Sequence, residues 1–125
     1  MFDGEYILLG EDGANIITRS VRLAFVVKGK FWVNNHAHVL KAKDNCKFLA
    51  EALERIDYAK YNTGTAQPKL NSEVCKSIML MVPEPEEQTK IANFLAALDD
   101  KITIVSAQID KMKMWKKGLL QQMFV

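Results

Sequence analysis

The sequence predicts an α+β protein, in which a small mixed domain is followed by a long coiled-coil helix. In the first half of the chain, short apolar runs alternate with turn-forming residues, a pattern typical of strands. In the last third, apolar residues recur at alternating spacings of four and three, which places them on one face of a helix that meets another helix. Pro83 and Pro85 separate the two patterns, so we predict domains at residues 1–83 and 84–125.

Strands are expected near the N-terminus. Four runs have a suitable composition: residues 6–9, 16–17, 23–27 and 31–40. The turn-forming residues Gly10–Gly13 end the first run, and Lys28-Gly29-Lys30 fits a hairpin turn. The sequence therefore predicts that most of the strands lie before residue 41.

Two helical segments are expected between residues 44 and 77. From Cys46 to Tyr58 apolar residues recur at helical spacing, which predicts an amphipathic helix with Asp44 or Asn45 as its N-cap. Further on, Asn71 or Ser72 can cap a single helical turn.

The long helix is expected to begin just after a short strand at residues 78–82. Pro83 stops that strand because proline cannot donate to a β-ladder, whereas Pro85 is well tolerated in a first helical turn. Glu86 and Glu87 then favour the positive end of the helix dipole. A helix from about Pro85 to Phe124 would be roughly 60 Å long.

The apolar face of this helix predicts an interface with another helix. We call it the ladder; it comprises Ile91, Leu95, Leu98, Ile102, Val105, Ile109, Met112, Lys116, Leu119 and Met123. Two copies are expected to pair antiparallel as a homodimer, with the apolar ladder residues from Ile91 to Leu119 in the interface. Lys116, beside Trp115, interrupts the apolar pattern, so the tightest contact is expected between Ile91 and Met112.

Composition excludes several classes of protein. The net charge of +2 is too small to argue nucleic-acid binding alone, and Cys46 and Cys75 lack the spacing of a zinc site. No leader pattern and no apolar run near twenty residues is present, so we expect a cytoplasmic protein without a membrane partner.

The residues do not predict an enzyme. The chain contains no glycine-rich phosphate loop, no nucleophile elbow and no Asn-Pro-Pro-aromatic run. His36 and His38 would face the same way on a strand, but no third ligand is evident nearby. We therefore expect no catalytic residue, no metal and no cofactor.

Two polar segments could serve either as turns or as DNA contacts. One is the loop Thr63–Lys69; the other combines Gly10–Asn15 with Asn34–His36. Their hydroxyl, amide and cationic groups suit phosphates and base edges, and asparagine or glutamine can bond adenine bidentately. Local side-chain-to-backbone bonds would explain the same composition.

Ordered motifs run through the chain. Those in its second half are Thr63–Asn71, Val82–Gln88, Lys90–Leu95, Leu98–Ile102 and Lys117–Phe124, and Gly10–Asn15 and Val33–Leu40 precede them. Together they resemble the specificity subunit of type I restriction–modification enzymes, and the motifs of the second half are the more specific.

The resemblance implies a DNA-reading module without a catalytic step of its own. In that family, two target recognition domains each read half of a split site on double-stranded DNA. Long antiparallel helices set the gap and hold the methyltransferase subunits, which bind S-adenosylmethionine. Such domains usually have several dozen more residues before the segment that matches Phe2–Glu5, so this recognition domain is expected to be incomplete at its N-terminus.

Candidate DNA contacts follow from side-chain chemistry and loop position. They are Asn15, Arg19, Asn34, Asn35, Thr63, Thr65, Gln67 and Lys69. The alternative is a truncated structural fragment that dimerises or docks through its long helix without binding DNA.

Overall fold

The predicted α+β class is confirmed by a computed structural model, which describes residues 1–124. A three-stranded antiparallel sheet has the strand order β2-β1-β3. The strands are β1 (Phe2–Gly10), β2 (Ala24–Phe31) and β3 (Ala37–Leu40). The helices are α1 (Asn15–Thr18), α2 (Cys46–Glu54), α3 (Ser72–Ser77) and α4 (Pro85–Met123), with one 3₁₀ turn at Tyr58–Tyr61.

The core lies between one face of the sheet and α2. Ile7 and Leu9 point to this face from β1 and are completely buried, because alternate residues of a strand share a face. Leu53 of α2 belongs to the same buried cluster. Tyr58 is also buried there; its hydroxyl donates to the carbonyl of Leu53, and burial raises the pKa of this phenol. This packing fixes the loops that leave the end of β1 at Gly10.

The predicted hairpin turn at residues 28–30 is wrong, because these residues lie inside β2. Gly29 pairs directly with Gly4 of β1, and both have positive φ, at 88° and 126°. Pairing continues on both sides of the two glycines, from Phe2 with Phe31 to Leu9 with Ala24. Glycine is needed here for a positive φ within paired strands and not for a chain reversal.

The predicted strand at Ile16–Ile17 is also wrong. These residues lie in α1, a short helix that ends at Arg19 in the left-handed region, with φ of 50°. Ile16 enters the core from α1 without joining the sheet, while Ile17 stays exposed.

Residues 78–82 follow the alternation of a strand but form none, so this prediction is wrong as well. Ile78 and Leu80 pack against the core, whereas Met79 and Met81 are 88% and 95% exposed. Within residues 1–124, no strand pairs with this segment. The alternating apolar residues therefore reflect burial of one side of an extended segment, which does not require pairing with a neighbouring strand.

The predicted caps are confirmed, and the structure selects one residue of each pair. The side-chain oxygen of Asn45 accepts from the N–H of Phe48, and that of Asn71 accepts from the N–H of Val74. The first of these helices ends at Glu54, four residues earlier than predicted.

The long helix α4 begins at Pro85, as the sequence predicts. Gln88 fixes its start: the backbone N–H donates to the carbonyl of Glu84, and the side-chain amide donates to that of Pro83. The chain divides by contacts into two compact units, residues 1–89 and the part that begins at Lys90. Among the described residues, no helix is long and apolar enough to cross a membrane.

Candidate nucleic-acid interface

Three polar loops meet beyond the end of β1. The N–H of Glu11 donates to the carbonyl of His36 at 2.9 Å, and the N–H of Gly13 donates to that of Pro68 at 2.9 Å. The N–H of Leu70 returns a bond to the carbonyl of Glu11 at 2.6 Å. We call residues 11–13, 34–36 and 62–69 the loop cluster. The fold thus joins the two polar segments that the sequence singles out.

Two histidines strengthen these connections. His36 Nδ1 lies 2.8 Å from a carboxylate oxygen of Asp12, and His38 Nε2 donates to the carbonyl of Leu70 at 2.6 Å. The two rings therefore have different partners. In the part of the chain that the structure describes, no group of three or more histidine, cysteine, aspartate or glutamate side chains is placed to hold a metal.

The loop from Asn62 to Lys69 is closed at its base. The side-chain oxygen of Asn62 accepts from the N–H groups of Gly64 and Lys69, at 3.0 and 2.9 Å. The N–H and hydroxyl of Thr63 both donate to the carbonyl of Lys69, at 2.8 and 3.2 Å. A Cβ at Gly64 would lie 1.7 Å from the carbonyl oxygen of Gln67, so only glycine fits this closure.

Four of the eight candidate residues present their side chains to solvent. They are Asn35, Thr65, Gln67 and Lys69, all exposed and without a side-chain hydrogen bond to any residue in 1–124. Asn34 and Thr63 belong to the same cluster, but their side chains bond locally, Asn34 by accepting from the N–H of His36 at 3.0 Å.

Asn15 and Arg19 have intrachain partners outside the loop cluster. Both ends of the Asn15 amide bond to the backbone of Val21, each at 3.0 Å. Arg19 donates to the carbonyls of Ile56 and Glu54, at 2.9 and 2.7 Å, and to the Glu54 carboxylate at 2.6 Å. These intrachain bonds occupy the polar groups for which both residues were candidates.

Glu54 links the segment after α1 to the end of α2. Besides the Arg19 guanidinium, its carboxylate accepts from the N–H groups of Leu23 and Ala24, at 3.0 and 2.8 Å. The pair with Arg19 is mostly shielded from solvent. A carboxylate that accepts several charged or backbone donors stabilises the folded chain, since each partner would otherwise lose its bond to water.

Glu54→Gln should lower the free energy of unfolding of the chain by about 1–3 kcal/mol, because the amide nitrogen faces donors that it cannot accept from. Urea unfolding followed by circular dichroism measures the change. The control is Glu51→Gln on the same helix, whose carboxylate pairs with Lys47 and Arg22 nearer the surface. This control should cost about 0–1 kcal/mol; equal losses in both variants would contradict the assigned role of Glu54.

Sequence reasoning missed the residues that shape the loop cluster. Asn62 and Asp12 hold the loops together, yet neither was a candidate. A local signal exists for Asn62, since an asparagine two residues before a glycine is typical of an Asx-turn. Asp12 pairs with a histidine 24 residues away, which no local pattern reveals.

The loop cluster has no excess of positive charge. It carries two carboxylates, Glu11 and Asp12, and one ammonium group, Lys69. The backbones of Asp12 and Lys69 form an isolated β-bridge, while the Asp12 carboxylate lies 2.8 Å from His36 Nδ1. A surface of this kind attracts polyanions only weakly, so neutral amide and hydroxyl groups would provide most of its selectivity. The exposed side chains of the loop cluster are therefore mostly neutral hydrogen-bonding groups and not a cluster of cations.

Known proteins match most of the chain. A family model described as the type I restriction modification DNA specificity domain matches residues 1–114. A putative type I restriction enzyme specificity subunit of Haemophilus influenzae is 34% identical over 99 residues, covering 77% of this chain and 25% of that protein. Two putative type I specificity subunits of Mycoplasma pneumoniae are 33% and 35% identical, covering 88% and 90% of this chain and 30% and 48% of those proteins. The chain thus spans between a quarter and a half of these relatives.

Proposed function

The chain belongs to the type I restriction–modification DNA specificity family, and we propose that it recognises double-stranded DNA as a non-catalytic specificity module. The loop cluster supports this proposal. Hydrogen bonds hold its three loops in one arrangement, while Asn35, Thr65, Gln67 and Lys69 remain unbonded at the surface. Loops held by internal hydrogen bonds, with unbonded polar side chains on their surface, suit the recognition of DNA bases. The side chains that contact the bases need not be rearranged on binding.

Each of these side chains has a plausible target on DNA. The amides of Asn35 and Gln67 match the N6 and N7 edge of adenine, and Lys69 matches the O6 and N7 acceptors of guanine or a phosphate. Thr65 can bond a base or a phosphate. Asn34 and Thr63 position the loops, and Asn15 and Arg19 act through the fold that carries them.

Selection from a randomised duplex pool tests this function. Purified full-length chain is mixed with the pool, retained DNA is recovered by gel shift, and the recovered sequences are compared with the input. An enriched motif is the expected result, and Gln67→Ala should relax it at one position, at a cost of about 1–3 kcal/mol for the base concerned. Uniform recovery that vanishes with added salt would contradict sequence readout.

We propose further that α4 is a spacer that pairs antiparallel with a second copy and also docks methyltransferase subunits. Charge along the helix supports the orientation. Its first half carries Glu86, Glu87, Asp99 and Asp100 against Lys90 and Lys101, and its second half carries Lys111, Lys113, Lys116 and Lys117 against Asp110, so the two halves have opposite net charge. Parallel copies would place like charges side by side, whereas antiparallel copies place the acidic half of each against the basic half of the other.

The alternative is a module that only dimerises or docks. The observation that favours it is the exposed apolar ladder of α4. The two functions give different results in one pair of measurements. Dimerisation without DNA retention, together with co-purification of the methyltransferase subunit of the same system, would favour the alternative. DNA retention with an enriched motif would contradict it.

A further inference from the structure

Trp32 is a large apolar side chain that the fold leaves uncovered. It lies in the connection between β2 and β3 and is 79% exposed. Within residues 1–124 it makes no ring contact with another aromatic side chain and no side-chain hydrogen bond. The chain has only two tryptophans, and an indole of this exposure contributes nothing to the core.

The connection that carries Trp32 ends in the loop cluster. The N–H of His36 donates to the side chain of Asn34, and the carbonyl of His36 accepts from Glu11 at 2.9 Å. The Cα atoms of residues 32 and 36 are therefore at most about 14 Å apart, at 3.3–3.6 Å per residue. Base pairs are stacked about 3.4 Å apart, so a duplex held on the loop cluster would cover the distance to Trp32 with roughly four further base pairs.

We infer that Trp32 packs its indole ring against a base of the DNA that the loop cluster binds, an inference that rests on the proposed function. In a duplex each base face is covered by the neighbouring base, so the indole can stack only where a base step opens. Apolar side chains that enter a groove open such steps and bend the duplex. Stacking there suits any base, because every base has a π-face. Trp32 would thus increase the affinity for DNA without contributing to sequence selectivity, which the side chains of the loop cluster would provide.

Two properties distinguish this role from a phosphate contact or a structural one. The indole carries no charge, so its removal should weaken binding without changing the slope of log Kd against log salt concentration. It is also exposed in the unbound chain, so its removal should leave the thermal midpoint of unfolding unchanged.

The test uses the full-length chain with Trp115→Phe, which leaves Trp32 as the sole tryptophan. Fluorescein-labelled duplex from the selected pool reports binding by anisotropy, while tryptophan emission is followed in the same titration with unlabelled duplex. We expect emission to be quenched in parallel with binding. Trp32→Ala should raise Kd by roughly 5- to 150-fold. The matched control is Phe25→Ala, a half-exposed aromatic on β2 outside the connection, which should leave Kd and the quenching unchanged.

The outcomes separate this inference from the proposed function. Binding by anisotropy with unchanged Trp32 emission, and with wild-type affinity in Trp32→Ala, would overturn the stacking while leaving DNA recognition intact. Absence of any bound duplex would overturn both.

Discussion

A chain carrying Ile102→Glu and Val105→Glu should be a monomer at concentrations where the unchanged chain is a dimer. The ladder runs from Ile91 to Met123, so its midpoint is residue 107, and both substitutions lie close to the two-fold axis of an antiparallel pair. Each dimer would lose four buried aliphatic side chains, worth about 1.5–3 kcal/mol apiece, and would gain four buried carboxylates. Dissociation constants should rise by at least about 10⁴-fold, which sedimentation velocity over a concentration series can measure.

The chain offers a matched control on the same helical turn. Ile104 is 60% exposed and Ile102 is 62% exposed within one chain, but Ile104 lies outside the ladder. Ile104→Glu introduces the same charge with the same loss of apolar surface, and it should leave the dimer intact. Helix content by circular dichroism should be alike in all variants. The pairing proposal would be contradicted if the unchanged chain were already monomeric at high concentration. It would also be contradicted if Ile104→Glu raised the dissociation constant as much as Ile102→Glu.

The helices α2, α3 and α4 could be predicted from the sequence because their signals are local, whereas the four-residue helix α1 was predicted as a strand. The spacing of apolar residues in α2 and α4 and the caps at Asn45 and Asn71 act within one or two turns. Strand positions failed where they depended on distant partners. Gly29 pairs with a glycine 25 residues away, and residues 78–82 have no neighbouring strand among the described residues.

The sequence predicted which loops form the candidate site, but not which of their side chains remain available for contacts. Composition identified the two polar segments, and the fold brings them together through Glu11, Gly13 and Leu70. Which side chains stay unbonded depends on bonds formed between loops. Arg19 shows the difference: its guanidinium is a suitable DNA contact by chemistry, but α2 supplies Glu54 as its partner.

Gly64→Ala should abolish DNA binding, because it opens the loop that presents Thr65, Gln67 and Lys69. The added Cβ would lie 1.7 Å from the carbonyl oxygen of Gln67 and 3.0 Å from the N–H nitrogen of Lys69. Both are backbone atoms, which cannot rotate away as a flexible side chain can. The loop must therefore release the bonds from Asn62 and Thr63 that close it.

The expected loss of affinity is at least about 30-fold if two of these side chains leave their positions, since each good base contact is worth about 1–3 kcal/mol and 1.4 kcal/mol is tenfold. Anisotropy with the selected duplex measures it. Gly118→Ala is the matched control: its Cβ would meet nothing within 4 Å, and in the interior of α4 it should stabilise the helix by roughly 0.5–1 kcal/mol. DNA affinity should be unchanged in that variant. Because the loop lies outside the buried core, Gly64→Ala should still fold, with native circular dichroism. A folded Gly64→Ala chain with full affinity would show that the closed loop does not carry the readers.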